Sequence, residues 1–206
     1  MIEILTASDR FERSEIFDQM FRGRAKVFYE RLGWNVVVKD GFEIDLYDEG
    51  QDPVYLVAIN DGGEVSGSLR LLPTTGKTML ANEFSPFFEE PVEISSPLVW
   101  ECTRFCIHPI RNSLHAESGQ SVSSELLIGL CQLAMASGIE QIVGLYEYKM
   151  TRVYNRIGWC PTPLAVSRPE IGRLVAGVWN VSQTAVDEMN ARASIVRNAD
   201  VTSKAA

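Results

Sequence analysis

Five residues near the start of the chain suit a zwitterionic ligand with a positively charged centre: Arg24, Phe28, Trp34, Asp45 and Asp48. Arg24 and Phe28 are four residues apart, so on a helix they share one face. Aromatic faces attract sulfonium-type cations, and carboxylates pair with an ammonium group. The set therefore predicts a pocket for such a ligand. The alternative is that Phe28 and Trp34 belong to the core and the charges to a solvated surface.

Three further charges, Arg70, Glu101 and Arg104, lie within strand-like segments, where an uncompensated charge is costly. A carboxylate there suits a general base that deprotonates an amine, and the arginines suit an anionic group. Strict alternation along a strand puts Glu101 and Arg104 on opposite faces. They can share a site only across a β-bulge or at an opening of the sheet. The alternative is a buried ion pair with a structural role.

Several common classes of enzyme and binding protein do not fit the chain. It has no Ser-His-Asp pattern, no P-loop and no GxGxxG motif. A formal charge of −8 on 206 residues disfavours a broad nucleic-acid surface. The four cysteines include no CxxC pair, and only two histidines are present. We therefore expect free thiols, with neither a zinc site nor a catalytic Cys106–His108 pair.

The elements that must position these residues alternate between strands and helices. A β-hairpin is predicted from Val54–Asn60 and Val65–Leu72, which flank the turn Asp61-Gly62-Gly63. The pattern then predicts a strand, a helix, a strand and a short basic helix at Leu98–Ile107, 118–137, Gln141–Leu145 and Lys149–Ile157. Helices interleaved with a mixed sheet indicate an α/β/α sandwich. This central order is also what an N-acyltransferase fold shows.

The chain is predicted to form one domain over residues 1–206, with a tail that frays after about residue 197. No apolar run reaches the ~20 residues that a membrane span needs. The first residues also lack a basic region followed by a long apolar stretch, so no secretory signal is predicted and we expect the protein in the cytoplasm.

Six segments form a distinctive series: RGRAKVFYERLGW (22–34), FEIDLYD (42–48), SLRLLPT (68–74), LANEFSPFF (80–88), WECTRFCI (100–107) and, less distinctive, RVYNRIGW (152–159). With this series the chain resembles the acyl-homoserine-lactone synthases, the autoinducer synthases of Gram-negative quorum sensing. The segments occur in the family's order over about the first three quarters of the chain. The resemblance implies an N-acetyltransferase-like (GNAT-like) fold.

The resemblance also implies an activity: transfer of an acyl group to the amine of S-adenosylmethionine, then lactone closure with release of methylthioadenosine. By the same resemblance, the five residues near the start shape the S-adenosylmethionine pocket, and Phe84 lines it or orders the long loop. Arg70, Glu101 and Arg104 would lie nearer the reacting centre, with Glu101 deprotonating the amine through water. Gly144 stands where a hydroxyl favours 3-oxo chains, so those are disfavoured. No metal or cofactor is implied.

The acyl donor is expected to be acyl carrier protein, although some members of the family use coenzyme A. The segment HPIRNSLHAESGQS (108–121) lacks the two-glycine pattern that cradles a pyrophosphate. Lys149, Arg152 and Arg156 form a basic helical face suited to an acidic carrier, which Arg111 could join. The alternative is an ordinary solvated surface.

Two rival functions stay open from the sequence alone. A coenzyme-A-dependent N-acyltransferase acting on another amine would bind acetyl-coenzyme A and release no methylthioadenosine. A non-catalytic relative would bind S-adenosylmethionine, if at all, without turnover.

Overall fold

The computed structural model describes residues 1–109 and 119–204, of which 119–121 and 196–204 are described as backbone only. The strands in these ranges are β1 (Ile2–Thr6), β2 (Val38–Lys39), β3 (Phe42–Glu43), β4 (Val54–Ile59), β5 (Val65–Pro73), β6 (Val99–Ile107), β7 (Gln141–Glu147), β8 (Thr162–Val166) and β9 (Leu174–Asn180). The α-helices are α1 (Ser14–Arg24), α2 (Gly119–Ala136), α3 (Thr151–Ile157) and α4 (Gln183–Lys204).

Seven of these strands make one sheet, in the order β1-β4-β5-β6-β7-β9-β8. All neighbours are antiparallel except β6 and β7, which run parallel, so the sheet is mixed as predicted. The hairpin of β4 and β5 turns at the predicted position, where Asn60 donates its N–H to the Glu64 carbonyl at 3.0 Å. β2 and β3 form a separate two-stranded ribbon.

Alternate side chains of the central strands are buried on opposite faces of the sheet. Leu56 of β4 belongs to the apolar cluster that contains Leu126 of α2 and Met189 of α4. The next residue, Val57, belongs to a second cluster with Phe21 of α1. Helices therefore cover both faces, which confirms the α/β/α sandwich.

A β-bulge interrupts the pairing of β5 with β6. Ser68 faces Cys106, but two positions further along β5 Arg70 faces Thr103, so β6 carries one extra residue between them. Arg104 lies in this bulge with a φ of +53°. An extra residue resets the alternation of side chains, so Arg104 can follow Thr103 on the same face of the sheet.

The sheet also opens beside the bulge. The parallel pairing of β6 with β7 ends where Glu101 faces Val143, although both strands continue beyond these residues. A bulge or an opening was the condition under which Glu101 and Arg104 could share a site. Both irregularities are present, one on each side of β6.

The first helix changes its geometry as it approaches the predicted pocket. α1 ends at Arg24 and continues without a break as a π-helix, Ala25–Arg31. The sequence pattern predicts a separate second helix here, but the wider turn extends the first one instead. Such turns are rare and often occur at functional sites. Gly33, with a φ of +65°, ends the helix and leads to Trp34.

The last helix begins after Ser182 and continues into the predicted tail. The Oγ of Ser182 accepts the N–H of Ala185 at 3.2 Å. The backbone of α4 is helical to Lys204, so fraying after about residue 197 stays a prediction. Arg111 and most of the segment 108–121 lie outside the described residues. None of the described helices is long and apolar enough to cross a membrane.

Candidate functional site

Three arginines and three carboxylates alternate in a closed ring between the sheet and the N-terminal segment. In order around the ring they are Arg24, Glu43, Arg104, Asp45, Arg70 and Asp48. Each neighbouring pair is in contact, with N–O distances between 2.5 and 2.9 Å. The formal charges cancel, which is how so many ionised groups can be buried together.

Arg24 supplies the helical side of the ring. Its guanidinium binds both oxygens of Asp48 at 2.9 Å, and its Nε donates to Glu43 at 2.6 Å. Two parallel bonds to one carboxylate give strong, directional pairing. Burial alone would raise the pKa of Asp48, but the Arg24 guanidinium, helped by Arg70, holds it well below its usual range. Asp48 also accepts the hydroxyl of Tyr55 at 2.8 Å.

Arg70 supplies the strand side of the ring and is fully buried. Its Nε donates to the Thr103 hydroxyl at 3.0 Å. Thr103 is the residue of β6 that faces Arg70 across the bulged pair of strands. The two terminal nitrogens of Arg70 donate to Asp45 at 2.5 and 3.0 Å, and one of them also contacts Asp48 at 2.9 Å. Arg70 thus joins the two aspartates that the sequence pattern singled out.

Arg104 closes the ring from the β-bulge. Its guanidinium donates to Glu43 at 2.9 and 3.1 Å and to Asp45 at 2.8 Å. It also lies 5.5 Å from the centre of the Phe28 ring, within cation–π range. Since Asp45 binds Arg70 as well, the bulge brings Arg104 to the same side of the sheet as Arg70.

Glu101 lies beside the ring and is held by backbone groups. It is fully buried, and its two oxygens accept the N–H groups of Met79 and Leu80 at 2.8 and 2.7 Å. Burial raises the pKa of Glu101 to about 7, against the lowering effect of these two N–H groups and of Arg70.

The sequence left open a buried ion pair with a structural role between Glu101 and Arg104. The structure does not contain this pair. Arg104 pairs with Glu43 and Asp45 instead. Met79 contacts both residues: its N–H binds Glu101 and its sulfur lies 3.5 Å from the Arg104 guanidinium.

The aromatic pair of the predicted pocket stacks beside the ring of charges, where Arg104 contacts Phe28. The rings of Phe28 and Trp34 are 5.0 Å apart at an angle of 25°. Phe28 is buried, whereas Trp34 is 41% exposed. Asp45, with 18% of its side chain exposed, is the most accessible of the six ring residues. Trp34 and Asp45 are therefore the residues of the predicted pocket that are most open to solvent.

Phe84 and Gly144 are not members of the ring. Phe84 is half-buried in the connection between β5 and β6, where it packs with Met79 and Leu80. Gly144 follows the last residue of β7 that pairs with β6, and a Cβ there would lie 3.0 Å from the Cys102 carbonyl oxygen. Even a small side chain at Gly144 requires the neighbouring strand to shift.

The predicted basic face lies away from the ring, on the short turn Tyr148–Met150 and on α3. Lys149, Arg152 and Arg156 are exposed. Lys149 is paired with Glu147 at 2.5 Å, so part of its charge is compensated.

Glu43 is a ring residue that the sequence analysis did not single out. It is fully buried and binds two of the three arginines. Its signal was the spacing of Glu43, Asp45 and Asp48 within FEIDLYD, which supplies all three carboxylates of the ring from one segment. Tyr47 of the same segment was also missed; its hydroxyl donates to the Thr78 carbonyl at 3.2 Å.

Comparison with known proteins identifies close relatives. The chain matches the family described as autoinducer synthase over residues 8–189, a range that includes every ring residue. It is 54% identical to an acyl-homoserine-lactone synthase of Rhizobium etli over 88% of this chain and 85% of the relative. It is 38% identical to an acyl-homoserine-lactone synthase of Agrobacterium fabrum over 77% of this chain and 76% of the relative.

Solved structures with the same fold include two synthases of this kind. The CoA-dependent acyl-homoserine lactone synthase BjaI, solved with SAM and isopentyl-CoA, has a TM-score of 0.80 at 26% identity, over 94% of this chain and 89% of that one. LasI has a TM-score of 0.76 at 28% identity, over 90% and 93%. An acyl-CoA N-acyltransferase from Pseudomonas aeruginosa, at 15% identity and a TM-score of 0.56 over 86% and 98%, shares the fold alone.

Proposed function

Because this chain belongs to the autoinducer synthase family and is an acyl-homoserine-lactone synthase, an acyltransferase, we propose that it acylates the amine of S-adenosylmethionine. The observation that carries the proposal is a single carboxylate: Glu101, buried beside the charged ring, has its pKa raised to about 7. A base that is half-ionised near neutral pH suits the removal of a proton from an ammonium group.

S-adenosylmethionine is proposed to bind beside Trp34 and Asp45, the most exposed residues of the predicted pocket. Its sulfonium suits the partly exposed ring of Trp34, because an aromatic face attracts a cation. Its ammonium group suits Asp45, the most accessible carboxylate, and its carboxylate suits the guanidinium of Arg104. Arg24, Asp48 and Phe28 are more deeply buried and would keep these contact groups in place. A ring of paired charges is rigid, so little ordering is left for the moment of binding.

The reaction then needs the loss of two protons from the ammonium nitrogen and two displacements. Glu101, directly or through water, takes the first proton, and the free amine attacks the thioester carbonyl. The new N–C bond forms as the C–S bond breaks, and the second nitrogen proton passes to the departing thiolate, which leaves as the carrier thiol. The methionyl carboxylate next attacks the carbon beside the sulfonium. A C–O bond forms, the C–S bond breaks, and methylthioadenosine leaves as a neutral molecule. These steps require no metal or redox cofactor.

Acyl carrier protein is the proposed donor. Lys149, Arg152 and Arg156 give an exposed basic face near the end of β7, and such a face steers an acidic partner. Acyl-coenzyme A is the second candidate, because BjaI, with a TM-score of 0.80, is CoA-dependent. We propose that the acyl group lacks a 3-oxo substituent, since Gly144 offers no hydroxyl to bind one. Synthesis in the cytoplasm follows, because both substrates are made there.

One assay tests the proposal and its rivals. The purified protein is incubated with S-adenosylmethionine and a mixed pool of acyl carrier proteins and acyl-coenzyme A thioesters, and the products are analysed by mass spectrometry. We expect an N-acyl-homoserine lactone and an equal amount of methylthioadenosine. An acylated product without methylthioadenosine would favour an ordinary N-acyltransferase, and binding without any product would favour a non-catalytic relative.

A further inference from the structure

A buried tyrosine joins the acidic segment of the ring to the turn that binds Glu101. Tyr47 is 1% exposed, and its hydroxyl donates to the Thr78 carbonyl at 3.2 Å and to the Glu83 carboxylate. The residues between these two contacts include Met79 and Leu80, whose N–H groups bind the two oxygens of Glu101. One hydroxyl thus contacts both ends of the segment 78–83, and Glu101 binds its middle.

The turn is compact, so a contact at its ends fixes its middle. The side-chain nitrogen of Asn82 donates to the Thr78 carbonyl at 2.6 Å, and the N–H of Phe84 donates to the Met79 carbonyl at 2.9 Å. Met79 packs in one buried cluster with Tyr47. A shift at Thr78 or Glu83 therefore moves the two N–H groups that face Glu101.

The geometry points to Tyr47 and Glu83 as positioning residues for Glu101. Their bond holds the turn where its two N–H groups bind both carboxylate oxygens, so that Glu101 keeps a single orientation toward the amine. This inference rests on the proposed role of Glu101 as the base. Positioning of a reacting group within a fraction of an ångström changes turnover strongly.

The electrostatics of the three groups agree with this geometry. Burial and the Glu83 carboxylate raise the pKa of Tyr47, so its hydroxyl stays protonated and remains a donor. Burial dominates the raised pKa of Glu101, and the nearby charge of Glu83 adds to it. Removing that charge should make Glu101 easier to ionise.

The first test needs no substrate. Tyr47→Phe keeps the buried ring, which lies 5.5 Å from the Arg70 guanidinium, and removes only the hydroxyl. Hydrogen exchange followed by mass spectrometry should show faster exchange in peptides that cover residues 78–84. Exchange in the strands of the sheet should be unchanged. Tyr148→Phe, which removes a hydroxyl from a tyrosine that is 47% exposed, is the matched control and should exchange as the wild type.

The second test is a double-mutant cycle on turnover. Tyr47→Phe and Glu83→Ala should each lower kcat by about tenfold and change the KM for S-adenosylmethionine by less than about threefold. The double variant should be no worse than the single variants, because one bond is removed in all three. In Glu83→Ala, the ascending limb of the pH profile should also move to lower pH, because the charge is removed. Glu90→Ala, at an exposed glutamate of the same connection, is the control.

The outcomes separate this inference from the proposed function. Faster exchange at 78–84 together with non-additive losses of kcat supports it. Wild-type kcat and pH profile in both variants overturn it, whatever the exchange shows, because the contact would then be structural only. A wild-type protein that makes no lactone contradicts the proposed function instead, and unchanged exchange in Tyr47→Phe would still overturn the contact's role in holding the turn.

Discussion

The Arg104 guanidinium donates a hydrogen bond to the Glu43 carboxylate at 2.9 Å, although the two residues are 61 positions apart in the chain. The contact exists because Arg104 occupies the β-bulge with a φ of +53°, a conformation that costs a non-glycine residue about 1 kcal/mol. The surrounding ring offsets that cost, since Arg104 gains two carboxylate partners there. In a regular strand, alternation would place Arg104 on the opposite face from Thr103. The strained bulge places it on the same side of the sheet as Arg70.

Glu43 should prove as important to stability as the residues that the sequence motifs emphasised. Glu43→Gln leaves three buried arginines with two carboxylates, so we expect the free energy of unfolding to fall by about 3 kcal/mol. Chemical denaturation of the variant measures this directly. Glu93→Gln, on an exposed glutamate, should change it by less than about 0.5 kcal/mol. Equal stabilities for the two variants would contradict a cooperative ring.

Glu101→Gln should separate binding from chemistry. The variant keeps the size of the side chain but removes the base, so turnover should fall by about 10²-fold or more. Binding of S-adenosylmethionine, measured by calorimetry, should stay within a few-fold, because the proposed contact groups lie in the ring and at Trp34. Turnover close to that of the wild type would remove Glu101 from the chemistry.

The pH profile should report the same carboxylate. The base must be ionised, and burial raises the pKa of Glu101 to about 7, so kcat/KM should rise with pH up to about 7 and then level off. The residual activity of Glu101→Gln should lack this limb. A wild-type profile that is flat between about pH 5 and pH 8 would argue for another base.

Stability should respond to pH in two opposite ways. The folded protein holds the Glu101 proton more tightly than the unfolded chain, so this group's contribution falls as pH rises from 4.5 to about 7. Asp48 has a lowered pKa; its contribution is present above its unfolded value of 3.8 and is lost as pH falls below it. Denaturation of Glu101→Gln and the wild type across this range should show their difference changing with pH.

Trp34 should contribute to ligand binding more than to the fold. Its ring is 41% exposed and stacks on Phe28, so Trp34→Ala should leave the folded structure intact. Loss of the cation–π contact of about 1 kcal/mol predicts roughly fivefold weaker binding of S-adenosylmethionine. Trp34→Phe, which keeps an aromatic face, should recover most of it. Calorimetric titration of both variants compares them, and equal affinities would exclude the sulfonium contact.

The basic face should distinguish the two acyl donors. Arg152→Glu reverses an exposed charge, so the KM for acyl carrier protein should rise, most strongly at low salt, because the steering is electrostatic. The KM for an acyl-coenzyme A thioester should change little. Arg13→Glu makes the same change of net charge in the N-terminal segment, so it tests whether net charge alone raises the KM for acyl carrier protein. An unchanged KM for the carrier would indicate that this face is only solvated surface.

The sequence by itself determined the local elements and the chemical types at the site. Strand alternation and the Asp61-Gly62-Gly63 turn predicted the central hairpin, because both depend on residues close together in the chain. Motif spacing also identified the family, which the comparisons confirm. The condition that a bulge or an opening must lie beside Glu101 followed from the two-residue period of a strand.

Only the tertiary structure decided how the charges pair. The sequence separated a binding set from a catalytic set, yet Asp45 binds both Arg70 and Arg104 and makes them one ring. It left out Glu43, and it gave no sign that Glu101 binds backbone N–H groups of the segment 78–83. These contacts join residues 19 to 61 positions apart. Their partners depend on how distant segments pack, which no local pattern encodes.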